Sequence, residues 1–257
     1  MSVMKKQQGF TLVELAISLM IIGLLIGAVL KGQELIGNSM SVQVVRQLQG
    51  YRTAIAAFRG TYNKLPGDMT TPSTRLPNCT ADPCSVAGNG DGLIGTAKRG
   101  ADAPTLATII KDEPRVFWVQ LAAASLITGV NTTITNGSTF SGKMGNEIPA
   151  TAIEGMGVGV NSYTNNPYYG GSMIAGNYFV LRGLTDANAD NGYPLTARRA
   201  KFIDAKMDDG TALSGEVRAL GIPTYTYPSW YCINSTDYLY NEANPGRGCN
   251  LQVLIEP

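Results

Sequence analysis

Four cysteines and no histidine bound the chemistry open to this 257-residue chain. Without imidazole there is no Ser-His-Asp or Cys-His catalysis and no His-ligated zinc. Carboxylates are present, but no spacing marks out one pair for acid–base work, so the residues point away from an enzyme. Cys79 and Cys84 enclose the four residues TADP, and Cys232 and Cys249 enclose 16. Four cysteines allow three connectivities. Short loops close at the least entropic cost, which favours 79–84 and 232–249. A zinc site of four thiolates needs tighter pairs than the second gap supplies. Disulfides in turn imply an oxidising compartment.

Two oxygen-rich stretches invite a cation. In Asp186-Ala187-Asn188-Ala189-Asp190-Asn191-Gly192, oxygen side chains alternate as in half of a calcium loop. The glycine comes one place late for an EF-hand, and Ala197 stands where the closing glutamate belongs. Asp186, Asn188 and Asp190 are therefore calcium candidates, with Asp208-Asp209-Gly210 as contributors if the fold brings them near; a structural turn is the other reading. Asn89-Gly90-Asp91-Gly92 suits tight turns; a cation is the other reading, though a calcium loop would need more oxygen ligands at fixed spacing. Apart from calcium, no cofactor is expected.

The charge that most needs explaining is Glu14. From Phe10 to Leu30 there are 21 residues and one charge. As a helix this run spans about 31 Å, roughly the hydrocarbon thickness of a bilayer. Lys5 and Lys6 precede it and Lys31 closes it, so the positive-inside rule leaves the N-terminus in the cytoplasm and the rest outside. A secretory signal peptide has a shorter apolar region and a small-x-small cleavage site. The nearest such pair, Gly37 and Ser39, lies beyond Lys31 and Glu34. A plain anchor accounts for the length but not for Glu14, since an intramembrane carboxylate costs about 2.5 kcal/mol or more without a partner.

Gly9-Phe10-Thr11-Leu12-Val13-Glu14, after a short basic leader, resembles the cleavage and methylation site of the type IV pilin and type II secretion pseudopilin superfamily. The resemblance implies cutting after Gly9 by a prepilin peptidase and N-methylation of Phe10. It also implies pairing of Glu14 with the Phe10 amine of a neighbouring subunit, so that the charge is satisfied in an assembly. Gly23, Gly27 and Gly32 then read either as close helix contacts or as points that soften the helix on leaving the bilayer.

The helix pattern continues past Lys31. Leu35, Ile36, Met40, Val44, Val45, Leu48, Tyr51, Ile55, Phe58 and Tyr62 recur mostly at three and four. Gly60 and Leu65-Pro66-Gly67 stop it. A helix from Thr11 to Tyr62 would be about 78 Å long. Pro114 and Gly129 bracket a second helix over 114–129, and 195–210 reads as a third, ended by Gly210. Asn177–Leu184, Ser214–Leu220 and Leu251–Ile255 read as strands, and residues 130–176 as irregular strands and loops. LPGD at 65–68 and the Phe117-Trp118 helix are also similar to pilin-like chains. Tyr225, Tyr227, Trp230, Tyr231, Tyr238 and Tyr240 crowd the tail, as interface residues or as core.

The expected fold is α+β and pilin-like: a leader over 1–9, a helix over 10–62 (transmembrane over 10–30, amphipathic over 31–62), and a mainly antiparallel domain over 63–257 with disulfide-closed loops. The implied function is a subunit of a pilus or pseudopilus. Its partners would be like subunits, a prepilin peptidase and methylase, and an inner-membrane assembly platform. It would start as a single-pass inner-membrane protein with its C-terminal domain in the periplasm. One alternative is a pseudopilin of a short secretion piston. Another, from a different class, is a membrane-anchored adhesive module that never polymerises. Lys5 and Lys6 are the only charges in the first nine residues; without them 18 basic groups face 19 acidic. That near-neutral body indicates no bulk attraction to nucleic acid and leaves room only for a local basic patch.

Overall fold

The computed structural model describes residues 11–95, 112–131, 144–163, 174–183, 193–220, 232–234 and 236–256. The chain forms two compact units, Met1–Met40 and Ser41–Pro257. Helix α1, Leu12–Tyr62, contributes to both. In the first unit its large apolar side chains, from Leu12 to Ile36, stand 51–85% exposed. Among the described residues nothing covers them.

In the second unit the same helix is amphipathic. Val44, Val45, Leu48, Ala54, Ile55 and Phe58 are buried, at the three- and four-residue spacing that puts them on one face. Each large side chain so buried is worth about 1.5–3 kcal/mol. Asn63 ends the helix in the left-handed region (φ 51°), where its N–H reaches the Arg59 carbonyl at 2.8 Å. Asparagine thus takes the capping place that glycine usually fills.

Among the described residues two short helices follow, α2 (Pro72–Arg75) and α3 (Asp112–Ala123). The expected 114–129 helix stops six residues early. Leu126 N–H bonds the Leu121 carbonyl and Ser125 N–H the Ala122 carbonyl, with Ser125 at φ 58°. This Schellman pattern turns the chain before Gly129 can. Trp118 of α3 is buried between Tyr51 of α1 (ring centroids 4.8 Å) and Phe179 (6.0 Å).

The sheet has five strands: β1 (Met156–Tyr163), β2 (Gly176–Gly183), β3 (Leu195–Thr196), β4 (Val217–Leu220) and β5 (Arg247–Leu254). Its order is β1-β2-β5-β3, with β4 also paired to β5, and every pairing is antiparallel. β5 is central, pairing with β2, β3 and β4, and is buried from Gly248 to Leu254, with Cys249, Leu251 and Val253 alternating with the buried polar Asn250 and Gln252. β1 lies where irregular strands and loops were expected. Its sequence, MGVGVNSY, alternates small residues with valine and carries little strand signal, yet all eight residues are buried. Among the described residues a further helix, α4 (Ala197–Met207), is capped by Thr196, whose hydroxyl accepts from Arg199 N–H. Gly210, at φ 74°, follows it.

Candidate functional site

The N-terminal site is a helix start. Thr11 stands just ahead of α1, and its Oγ1 accepts from Glu14 N–H at 3.3 Å. Thr-x-x-Glu is the order of a capping box, and a carboxylate in the first turn is favoured by the helix dipole. Ser18 Oγ donates to the Glu14 carbonyl at 2.8 Å. Both bonds use the Glu14 main chain, while its carboxylate sits in the first turn of α1, a local placement that the sequence reading overlooked although TLVE carried the signal. Gly9 and Phe10 lie outside the described residues. Lys31 and Glu34 form an exposed ion pair (2.6 Å) beyond the apolar run. α1 is long and apolar enough to cross a membrane. A Cβ added at Gly23, Gly27 or Gly32 meets nothing within 4 Å, so no contact among the described residues requires glycine there.

The NGDG stretch is a turn organised by two buried carboxylates. Asp68 accepts from Gly90 N–H (2.6 Å) and Gly92 N–H (2.9 Å). Glu113 accepts from Asn89 N–H (2.8 Å) and Gly95 N–H (2.7 Å). Burial pushes the Glu113 carboxyl above its usual range, against these two amide bonds. Both carboxylates thus hold the loop through its main-chain amides. Asn177 pins the same loop to β2 by accepting from Ile94 N–H and donating to the Gly92 carbonyl. A cavity of about 300 Å³ beside it is lined by Leu65, Leu93, Phe117, Ile174 and Glu256 among others. Glu256, its one titratable side chain, is ion-paired with Arg59.

Disulfides join Cys79 to Cys84 (Cα–Cα 5.1 Å) and Cys232 to Cys249 (4.8 Å). Within the second loop Tyr240 is buried and Tyr238 is 46% exposed, so these two divide between core and surface. Tyr225, Tyr227, Trp230 and Tyr231 lie outside the described residues, as do Asp186, Asn188 and Asp190.

Asp208 and Asp209 do meet a third carboxylate, Asp204, with one oxygen of each within 4.8 Å of the others. Their hydrogen bonds fasten the fold. Asp208 Oδ2 accepts from Glu216 and Val217 N–H, capping the start of β4. Asp209 accepts from Thr211 N–H and Ser214 Oγ. Asp204, fully buried, accepts from Tyr240 Oη (2.7 Å) and Gly210 N–H (3.1 Å), tying α4 to the disulfide loop. Burial raises the Asp204 carboxyl to about 7; the two donors oppose the rise, and Asp209 and Asp208 add to it.

No curated protein and no solved structure matches the chain. A family model, the prokaryotic N-terminal methylation motif, matches residues 4–30. That span covers the basic leader, Gly9, Phe10, the Thr11–Glu14 helix start and the apolar run through Leu30. It is the leader signature of type IV pilins and pseudopilins, and it supports a type IV pilin-like or pseudopilin class for this protein.

Proposed function

We propose that this protein is a pilin-like subunit that polymerises into a pilus or pseudopilus through its N-terminal helix. The observation that carries the reading is the coincidence of the methylation motif over 4–30 with a helix whose apolar side chains stand exposed from Leu12 to Ile36. Cleavage after Gly9 leaves Phe10 as a methylated amine. In a filament, that amine of one subunit pairs with Glu14 of the next. The apolar run then passes from lipid into a bundle of like helices. Residues 1–9 are the leader, 10–30 the membrane span before assembly, 31–62 the amphipathic half of the helix, and 63–257 the domain outside the inner membrane. A prepilin peptidase and methylase and an assembly platform are the partners this requires. The disulfides suit a periplasmic domain.

Intact mass and N-terminal peptide analysis of protein from its own membrane test the processing step. A chain beginning at N-methylated Phe10 is expected; one retaining Met1–Gly9 beside an active prepilin peptidase refutes it. Polymerisation is tested separately by Glu14→Ala. The variant should accumulate in the membrane with its domain folded and fail to enter filaments. Normal filament assembly of Glu14→Ala would refute the pairing of Glu14 with the Phe10 amine, and absence of filaments from the parent protein would return it to the class of anchored, non-polymerising modules.

A further inference from the structure

We propose that the outward face of α4, together with Arg247, is a docking surface for the phosphate backbone of a nucleic acid. The surface goes beyond the filament role and does not depend on it. α4 turns Ala197, Ala200, Ile203 and Asp204 into the domain. Arg198, Lys201, Ala205 and Lys206 are exposed, and Arg199 and Phe202 half-buried. At about 3.6 residues per turn these six share one continuous arc. The register of β3 with β5 sets Arg247 opposite Thr196, the residue that caps α4.

This patch is basic because the fold removes its counter-charge. The helix's one acid, Asp204, points inward and is held by Tyr240. Lys201 is paired with Glu242. Among the described residues no ion pair engages Arg198, Arg199, Lys206 or Arg247, whereas Arg52, Arg59 and Arg115 each have a carboxylate. Among the described residues, a chain that is near neutral in total thus gathers four cations without an ion pair around one helix, with Asp208 and the exposed Asp209 following its C-terminal end.

The chemistry selects the occupant. Three of the four unpaired cations are arginines, whose planar fork matches phosphate. Phe202 sits among them, with Lys206 Nζ 5.6 Å from its ring centroid. Insertion into a lipid surface needs an apolar stripe facing outward, and α4 offers only Phe202 and Ala205 there. A run of phosphates needs spaced cations and no particular base, and a ring face suits it further.

The test is fluorescence anisotropy with full-length protein in zwitterionic detergent, against short single-stranded and duplex DNA of two unrelated sequences. Binding should be alike for both sequences and weaken with salt, with a log–log slope of about 3 to 4. The double variant Arg198→Glu/Arg199→Glu should bind roughly tenfold or more weakly and lower that slope by about 2. Its melting temperature should match the parent, and Arg46→Glu, an exposed charge on α1, should bind like the parent. Three results would each overturn the proposal: no binding at about 50 mM salt, where such contacts are strong; binding indifferent to the double variant; or equal, variant-sensitive binding to polyglutamate or phosphatidylglycerol vesicles, which would assign the surface to an acidic protein or a membrane.

Discussion

Asp204 should make the C-terminal unit lose stability as pH rises through neutrality. Its carboxyl is fully buried and lifted from 3.8 to about 7. Because the folded value exceeds the unfolded one, the native state binds more protons between them. The associated stability is therefore complete below the unfolded pKa and lost as pH climbs through the folded pKa. A rise from 3.8 to about 7, at 1.36 kcal/mol per unit, amounts to about 4 kcal/mol, of which most disappears between about pH 4 and pH 8. Glu113 is shifted the same way by burial, so the comparison must isolate Asp204. Asp204→Asn does this: it keeps an acceptor for Gly210 N–H and cannot ionise. Urea unfolding of full-length protein in detergent, with disulfides intact and Trp118 as the buried fluorescent probe, gives stability at each pH. The difference between variant and parent should move in the variant's favour by roughly 4 kcal/mol over that range. A pH-independent difference, or one that shifts toward the parent as pH rises, would refute the reasoning.

Three further outcomes follow from the same contacts. Gly215→Ala places a Cβ 1.6 Å from Asp208 Oδ2 at φ +69°, whereas Gly92→Ala at φ +83° meets nothing within 4 Å. The second should cost about 1 kcal/mol and the first about 2 kcal/mol or more, so equal losses on thermal melting would contradict the packing. Opening the 232–249 disulfide, with its sequence separation of 17, should cost about 3 kcal/mol. For 79–84, with a separation of 5, the cost is about 2 kcal/mol; unfolding of Cys249→Ser and Cys84→Ser variants checks the order. Trp118→Ala removes ring contacts to both Tyr51 and Phe179 and should cost about 3–5 kcal/mol in urea unfolding, so a loss under about 1 kcal/mol would mean the helix–sheet junction lies elsewhere.

Much of the architecture is legible because its signals are local. The apolar spacing from Val44 to Phe58 describes the buried face of α1, and Thr11 and Glu14 mark its start within four consecutive residues. β2 and β5 are rich in residues that suit a strand, and Thr196 and Gly210 bracket α4. The failures come where local preference is weak or overridden. β1 is a strand through its full register with β2, from Met156 opposite Gly183 to Tyr163 opposite Gly176, and not through its own glycine-rich composition. α3 ends at Ala123, six residues before the glycine that marked its limit, and is turned off by Ser125 in a glycine-like conformation.

The candidate sites divide along the same line. The basic leader, Gly9, Phe10, Glu14 and the run to Leu30 are contiguous, so the sequence alone determines the methylation motif and the membrane-length helix. Absence of histidine is likewise a property of composition. Only the tertiary structure decides what the scattered acids do. Asp68 is bound to amides of the Gly90 turn, Glu113 of α3 to the same loop, and Asp204 to a tyrosine within a disulfide loop. Each pairing joins residues far apart in the chain, and a carboxylate's charge state and role depend on the donors around it and its distance from water. Burial of Asp204 also determines that the outward surface of α4 is basic, because a helix's net charge is set by its residues but its field by which of them face solvent.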